Sequence, residues 1–434
     1  CKDDDDDIEL IDDCDYDDLV THSELSIVEN GAMTSAVGIP SHLNTVSFSS
    51  DGDVAVAYLD YSEGGDIVVE GFADLGEVAF IDLVDGTKAG STSVGFSPTR
   101  VLFAPNNQVV VMSRSQVVAV DLETYEKTLE APLTLDADQQ VDPSGAELAY
   151  DDESGAVTLL LTVDGSSDLY MLDLQTEYWN IGDLGAVPSS IGVDGSSSKS
   201  LFVFSASSKA VILDHGELST LNSSSIEDIE LEEPANSVLI GDSYAVLYND
   251  SNDYVHDVYK VDLETQELTE YVLANPLSSL QLSASGAYAV GVMRPESSSY
   301  GSGLDYYQDS RYGLAVLDLS SNDAVSLVAE SRPVGIELVE DGEKSYALAL
   351  MEGVDSLLQI DLADPSGAVQ IELPASPTSI GTLADGRFAI SHDVGLGMVS
   401  FLNPETLEIQ TVSGFAAAGL LQDDILPRRG EEQK

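Results

Sequence analysis

Residues 117–127 read VVAVDLETYEK. A run of apolar residues ends in Asp121-Leu122, and a polar turn follows. Taken alone, DLETYEKTLEA has the composition of a helix. It has seven relatives in the chain, however: VAFIDLVDG, LYMLDLQTE, AVILDHGEL, VYKVDLETQ, LAVLDLSSN, LLQIDLADP and MVSFLNPET. Together they read as a strand that runs into a tight turn. The marker residues are Asp82, Asp121, Asp173, Asp214, Asp262, Asp318, Asp361 and Asn403, spaced 39 to 56 residues apart. A side-chain oxygen at a strand end accepts hydrogen bonds from N–H groups of the next turn, so the marker is read as structural. Eight copies around a repeat cannot all be one active site.

A second signal runs in phase with the first. Ahead of each marker lies a pair suited to a tight hairpin turn: Asp51-Gly52, Asn106-Asn107, Ser144-Gly145, Asp194-Gly195, Gly241-Asp242, Ser285-Gly286, Asp341-Gly342 and Asp385-Gly386. The flanks alternate apolar and polar residues and are rich in Val, Ile, Tyr and Phe, as in TVSFSSDGDVAVAY and SIGTLADGRFAI. One unit is therefore strand, turn, strand, variable loop, strand ending in Asp-Leu, turn, strand. Four antiparallel strands in about 45 residues is the size of a propeller blade. The expected fold is all-β, a β-propeller of four-stranded blades, with eight blades and seven as the alternative if one unit is atypical. The first unit begins at its innermost strand near Leu43, and the last ends at its outermost strand near EIQTVSG. The ring closes either by packing alone or by AMTSAVG (32–38) adding a strand to the last blade.

AVDLETYEK, MLDLQTEYW and KVDLETQEL resemble the YVTN and quinoprotein-like propeller repeats, whose third strand ends in a similar Asp-x-x-Thr turn. Units four and six to eight depart from that turn. The resemblance covers about residues 40 to 413 and implies the fold, not an activity.

The chain has 434 residues, with 78 acidic against 16 basic side chains and a net charge of −62. Such a surface repels phosphate backbones, so no nucleic-acid partner is expected. An acid excess with few lysines points to a saline setting, as in a marine or halophilic bacterium. No apolar run is long enough for a transmembrane helix. The first eighteen residues, CKDDDDDIELIDDCDYDD, hold eleven acidic ones. They resemble the mature end of a bacterial lipoprotein, which implies Cys1 as the lipid-bearing residue and a membrane reached through that lipid. Lys2-Asp3-Asp4 is also similar to a surface-export signal of such lipoproteins. A Cys1–Cys14 disulfide is the other reading of the two cysteines. The expected organisation is an acidic tether over 1–30, a propeller over 31–415 and a tail over 416–434, at the outer membrane on its periplasmic or cell-surface side.

Chemistry is sparse. One tryptophan, Trp179, rules against repeated tryptophan docking motifs. The five histidines, His22, His42, His215, His256 and His392, lack metal-ligand spacing and read as incidental surface or strand residues. No nucleophile elbow or phosphate loop is present. No cofactor is expected, beyond a divalent cation held loosely by carboxylates. The longest insertion, RPESSSYGSGLDYYQDSRYG (294–313), carries Arg294, Tyr300, Tyr306, Tyr307, Arg311 and Tyr312. Tyrosine and arginine are the residues of interaction hot spots. A smaller loop, NDSNDYVHDVY (249–259), adds Tyr254, and the two loops meet if units five and six are neighbours. The expected function is a lipid-anchored, non-enzymatic propeller that scaffolds other envelope proteins. The outer-membrane barrel-assembly machinery contains a propeller lipoprotein of similar architecture. The alternatives are a surface adhesin or cell-coat component, and a divalent-metal-dependent, lactonase-like hydrolase with its site in the channel.

Overall fold

The chain is an eight-bladed β-propeller, seen in a computed structural model that describes residues 23–29, 32–39, 43–49, 52–60, 76–133, 143–151, 155–194, 198–216, 228–252, 254–295, 311–340, 344–383, 386–392, 397–404 and 406–415. Blades 1 to 8 span 45–93, 98–132, 143–183, 190–230, 237–272, 277–328, 333–372 and 377–415. Each is a sheet of four strands paired antiparallel in chain order. The seven-blade alternative falls, because all eight units form complete sheets. The first strand of each blade is innermost: those of blades 3, 4 and 5 lie against one another, as do those of blades 7 and 8.

Each blade is apolar on both faces, which is why its second and third strands read as near-continuous apolar runs. In blade 2, Val109 and Val111 face blade 1, whereas Val110 and Met112 face blade 3. The core is thus a series of clusters between neighbouring blades, not one central mass.

The marker residue does what the repeat implies. Asp121 Oδ1 accepts from the N–H groups of Glu123 (2.9 Å) and Thr124 (2.8 Å). Asp173 and Asp262 repeat the arrangement with Thr176 (3.1 Å) and Thr265 (2.7 Å). Asp82, Asp214, Asp318, Asp361 and Asn403 each accept at least one such N–H. The leucine after it works outward in both directions. Its N–H reaches a carbonyl of the turn between strands one and two, as Leu263 does to Ser243 (2.9 Å). Its side chain plugs the gap to the preceding blade: Leu263, Leu319 and Leu362 are all buried there, each contributing about 2 kcal/mol of apolar burial. The two in-phase sequence signals are therefore one local structure.

Three expectations need correction. Ser144-Gly145 is not a turn but lies inside the first strand of blade 3, Pro143–Asp151. The glycine is there because the strand kinks at that point, and a Cβ would lie 2.8 Å from Ile191 and Thr162. The turn of that blade instead contains Gly155, at φ +69°. Second, AMTSAVG adds no strand to the last blade. Ala32–Ile39 pairs with Ser23–Glu29 in a separate two-stranded hairpin, so the boundary drawn at residue 30 falls within that hairpin. Third, His392 is a strand residue, as read, but it is not an incidental one. It is buried in blade 8, donating through Nδ1 to Ala375 O (2.8 Å) and meeting Ser400 Oγ through Nε2 (2.7 Å), with Thr411 next in the chain of bonds (2.9 Å).

Candidate functional site

The unit-six insertion leaves and re-enters the blade at one point, because Met293 and Gly313 are direct cross-strand partners. Gly313 is required there, since a Cβ would lie 2.4 Å from Leu327 O. Asn275, in the connection from blade 5 to blade 6, is only 3% exposed. Its side-chain amide donates to Arg294 O (3.3 Å) and Arg311 O (3.0 Å), tying both roots of the insertion together. The Arg294 N–H donates to Pro276 O (2.9 Å). Its guanidinium crosses to blade 5 and donates to the Asp250 carbonyl. Units five and six are thus neighbours whose loops touch, as their order in the chain required.

The blade 5 loop is stiffened from within. Asn249 Oδ1 accepts from Asn252 N (2.8 Å), and Asn252 Oδ1 accepts from Tyr254 N (3.0 Å). These side-chain turns hold Tyr254, which is 65% exposed. Arg311 is exposed and Tyr312 half-buried. Both border a small crevice with Asn275, Met293 and Val328. Tyr300, Tyr306, Tyr307 and Cys1 lie outside the described residues.

A device that the sequence reading missed accompanies the long loops. Asn44 donates to Asp60 O (2.8 Å) and accepts from Asp60 N (2.7 Å). Asn236 accepts from Asp250 N (3.0 Å) and donates to Asp250 Oδ1 (2.7 Å). With Asn275 this makes three asparagines just ahead of an innermost strand, in blades 1, 5 and 6. Those blades carry the three longest loops between strands two and three. The signal was present as LNTV, ANSV and ANPL.

The buried tyrosines of blade 5 are held neutral. Burial, then the charge of Asp250, pushes the Tyr248 phenol up to about 12. Burial likewise raises Tyr244, Tyr259 and Tyr271 to about 12. The Tyr259 hydroxyl accepts from Glu233 N (2.8 Å), fixing the link between blades 4 and 5. Near the channel, burial pushes the Glu147 carboxyl up while Arg100, 3.0 Å away, pulls it down. Among the described residues, no group of three or more His, Cys, Asp or Glu is placed to hold a metal ion. No helix among them is long and apolar enough to cross a membrane.

No protein-family model matches the chain, and no curated protein matches it. Solved structures do. The chain is similar to a structure described as the eukaryotic initiation factor, with a TM-score of 0.56 at 11% identity, covering 86% of this chain and 88% of that one. It is also similar to apo AztD from Citrobacter koseri (TM-score 0.48, 13% identity, 78% and 92% covered). A third is the dihydro-heme d1 dehydrogenase NirN in complex with DHE (0.49, 13%, 79% and 72%). At these identities the likeness is one of fold alone.

Proposed function

We propose that the protein is a non-enzymatic, lipid-anchored scaffold of the bacterial cell envelope, working in saline surroundings. The carrying observation is the junction at blades 5 and 6. A Tyr- and Arg-rich insertion is rooted by Asn275 and cross-tied to the blade 5 loop through Arg294 and Asp250. A rigid ring whose blade 5 loop is tied to the root of the insertion, with Tyr254 and Arg311 exposed, suits recognition of another protein. The marker aspartates accept turn N–H groups, which supports a structural role for the repeat. Anchoring through Cys1 rests on the resemblance of residues 1–18 to lipoproteins. The outer-membrane placement, the envelope partners and the lack of a cofactor belong to the same proposal.

The test has two parts. Protein purified in detergent from its native membrane is assayed for a stable complex of fixed stoichiometry, in wild type and in Tyr254→Ala/Arg311→Glu. Loss of the complex with the propeller still folded supports the scaffold, whereas a complex indifferent to both changes sinks it. Separately, the mass of the N-terminal peptide shows acyl chains on Cys1 or their absence, which decides the anchor.

A further inference from the structure

The outermost strand of blade 5 is Leu268–Val272, LTEYV, and its two faces differ. Tyr271 is buried against blade 6, among Leu277, Leu280 and Ala289. Strand alternation therefore turns Leu268, Glu270 and Val272 the other way, toward blade 4. There they are left open: Leu268 is 38% and Val272 69% exposed, and Glu270 is exposed between them. Val272 lies opposite Asp257, three residues past the exposed Tyr254. Apolar surface is thus offered both by the blade 5 loop and by the strand below it.

The backbone of this strand is open as well. Leu273 N donates to His256 O (3.0 Å), and Asp262 N donates to Glu267 O (3.0 Å). Bonded pairs alternate along an antiparallel ladder, so the N–H and C=O groups of Leu268, Glu270 and Val272 point away from the sheet. Among the described residues, no strand pairs with that edge. Lysine and proline discourage edge pairing, and the outermost strand of blade 2, KTLEAP, has both. LTEYV has neither. The charge beside the edge is of one sign. Partial burial of its carboxyl, then the charges of Asp257 and Glu232, pushes Glu270 up, which sets both acids beside it. The lysines of blades 4 and 5 are engaged elsewhere: Lys260 with Leu319 O, Lys209 with Asp228 and Glu230, Lys199 with Glu264. Among the described residues, no ion pair reaches Glu232, Asp257 or Glu270.

We infer, resting on the reading that the blade 5 loop meets another protein, that the partner adds an extended strand to this edge and carries a basic side chain between two apolar ones. Main-chain bonds along Leu268–Val272 supply affinity. A lysine or arginine opposite Glu270, with apolar side chains beside Leu268 and Val272, supplies specificity. Complementary charge selects this occupant over a second copy of the chain. A copy pairing here would bring the same acids face to face, on two bodies that each carry a charge of −62.

The probe is the capped peptide Lys-Val-Thr-Arg-Thr-Val-Lys, added to the full-length chain, with a control peptide in which glutamate replaces the arginine. The first peptide should slow amide exchange at residues 268–272, and the control should bind more weakly. Glu270→Lys should weaken binding of the first peptide about tenfold or more, since it sets like charges together. Glu123→Lys makes the same change of charge on blade 2 and should leave binding within about twofold, as a distant exposed charge is largely screened. Both side chains are exposed, so neither change threatens the fold. Equal weakening by the two variants, slowed exchange elsewhere, or no slowing at all overturns the inference. Slowing at 268–272 that grows with protein concentration in the absence of peptide puts a second copy on the edge and overturns it too. A native complex lost in Tyr254→Ala/Arg311→Glu yet kept in Glu270→Lys also overturns it, and leaves the scaffold reading standing. Absence of any native complex counts against the scaffold reading alone, because the peptide reports on the edge directly.

Discussion

At the marker position a single oxygen decides the turn. Asn403 stands where seven blades have Asp, and its Oδ1 still accepts Thr406 N (3.0 Å). An acceptor oxygen is therefore the minimum the turn requires, and a negative charge adds to it. Asp173→Ala should lower stability by about 1 kcal/mol, the worth of a lost side-chain cap. Asp173→Asn should lose less than half of that, and urea unfolding of the three proteins at neutral pH checks the order. The residue four places after the marker is also constrained. Tyr125, Glu177, Gln266, Asn322 and Leu407 all hold a left-handed backbone, with φ of 56° to 62°. Asparagine tolerates that region better than glutamine, so Gln266→Asn should raise the unfolding midpoint. A loss instead would mean that the Gln266 side chain contributes something beyond the turn. Asn275 carries more, because two backbone carbonyls depend on one amide. Asn275→Ala should cost about 2 kcal/mol and speed amide exchange where the insertion joins blade 6, with blade 2 unaffected.

Elements were legible in proportion to how local their causes are. The marker turn and the hairpin turn involve partners within one blade, so both left a repeated trace in the sequence. What failed was longer in range. Ser144-Gly145 has turn composition, but its glycine answers to Ile191 in the next blade. His392 shows no spacing signal, because its partners, Ala375, Ser400 and Thr411, are brought to it only by sheet pairing. The hairpin partner of AMTSAVG was hidden by the acidic stretch before it. The candidate site was half legible: loop length and composition picked out Tyr254, Arg294 and Arg311, but not the asparagines that root the loops. That rooting makes the insertion separable from the blade. Replacing 295–311 by Asn-Gly keeps Met293 opposite Gly313 and leaves Asn275 its Arg294 carbonyl. The shortened chain should melt within about 3 °C of wild type while losing any complex that depends on the insertion. A large fall in melting temperature would show instead that the insertion is part of the blade's core.

For the whole molecule, a net charge of −62 on one ring sets long-range repulsion against short-range contacts. The two have separable signatures, because salt screens the first and barely touches the second. Screening length is about 30 Å at about 0.01 M salt and about 3 Å at about 1 M. The local groups are of two kinds. The Thr124 N–H and hydroxyl hold Asp121 below its ordinary value, and the Thr265 N–H does the same for Asp262. At Asp318 partial burial pushes upward, but the Ser320 and Ser321 bonds outweigh it. Carboxyls lowered in this way stabilise the fold above the ordinary carboxylate range, and that contribution is lost as pH falls through their lowered values. Glu147 and Glu270 are raised by burial, so their contribution is full below the ordinary value and is lost as pH rises. At low salt, then, acidification from about pH 7 to about pH 5 should raise the melting temperature, as charge is neutralised and the raised glutamates take up protons. Below about pH 4 it should fall as the marker turns lose their anions. At high salt the rise should shrink, because the repulsion it relieves is already screened, while the fall remains. A rise of equal size at both salt concentrations would assign it to Glu147 and Glu270 and remove long-range repulsion as its source.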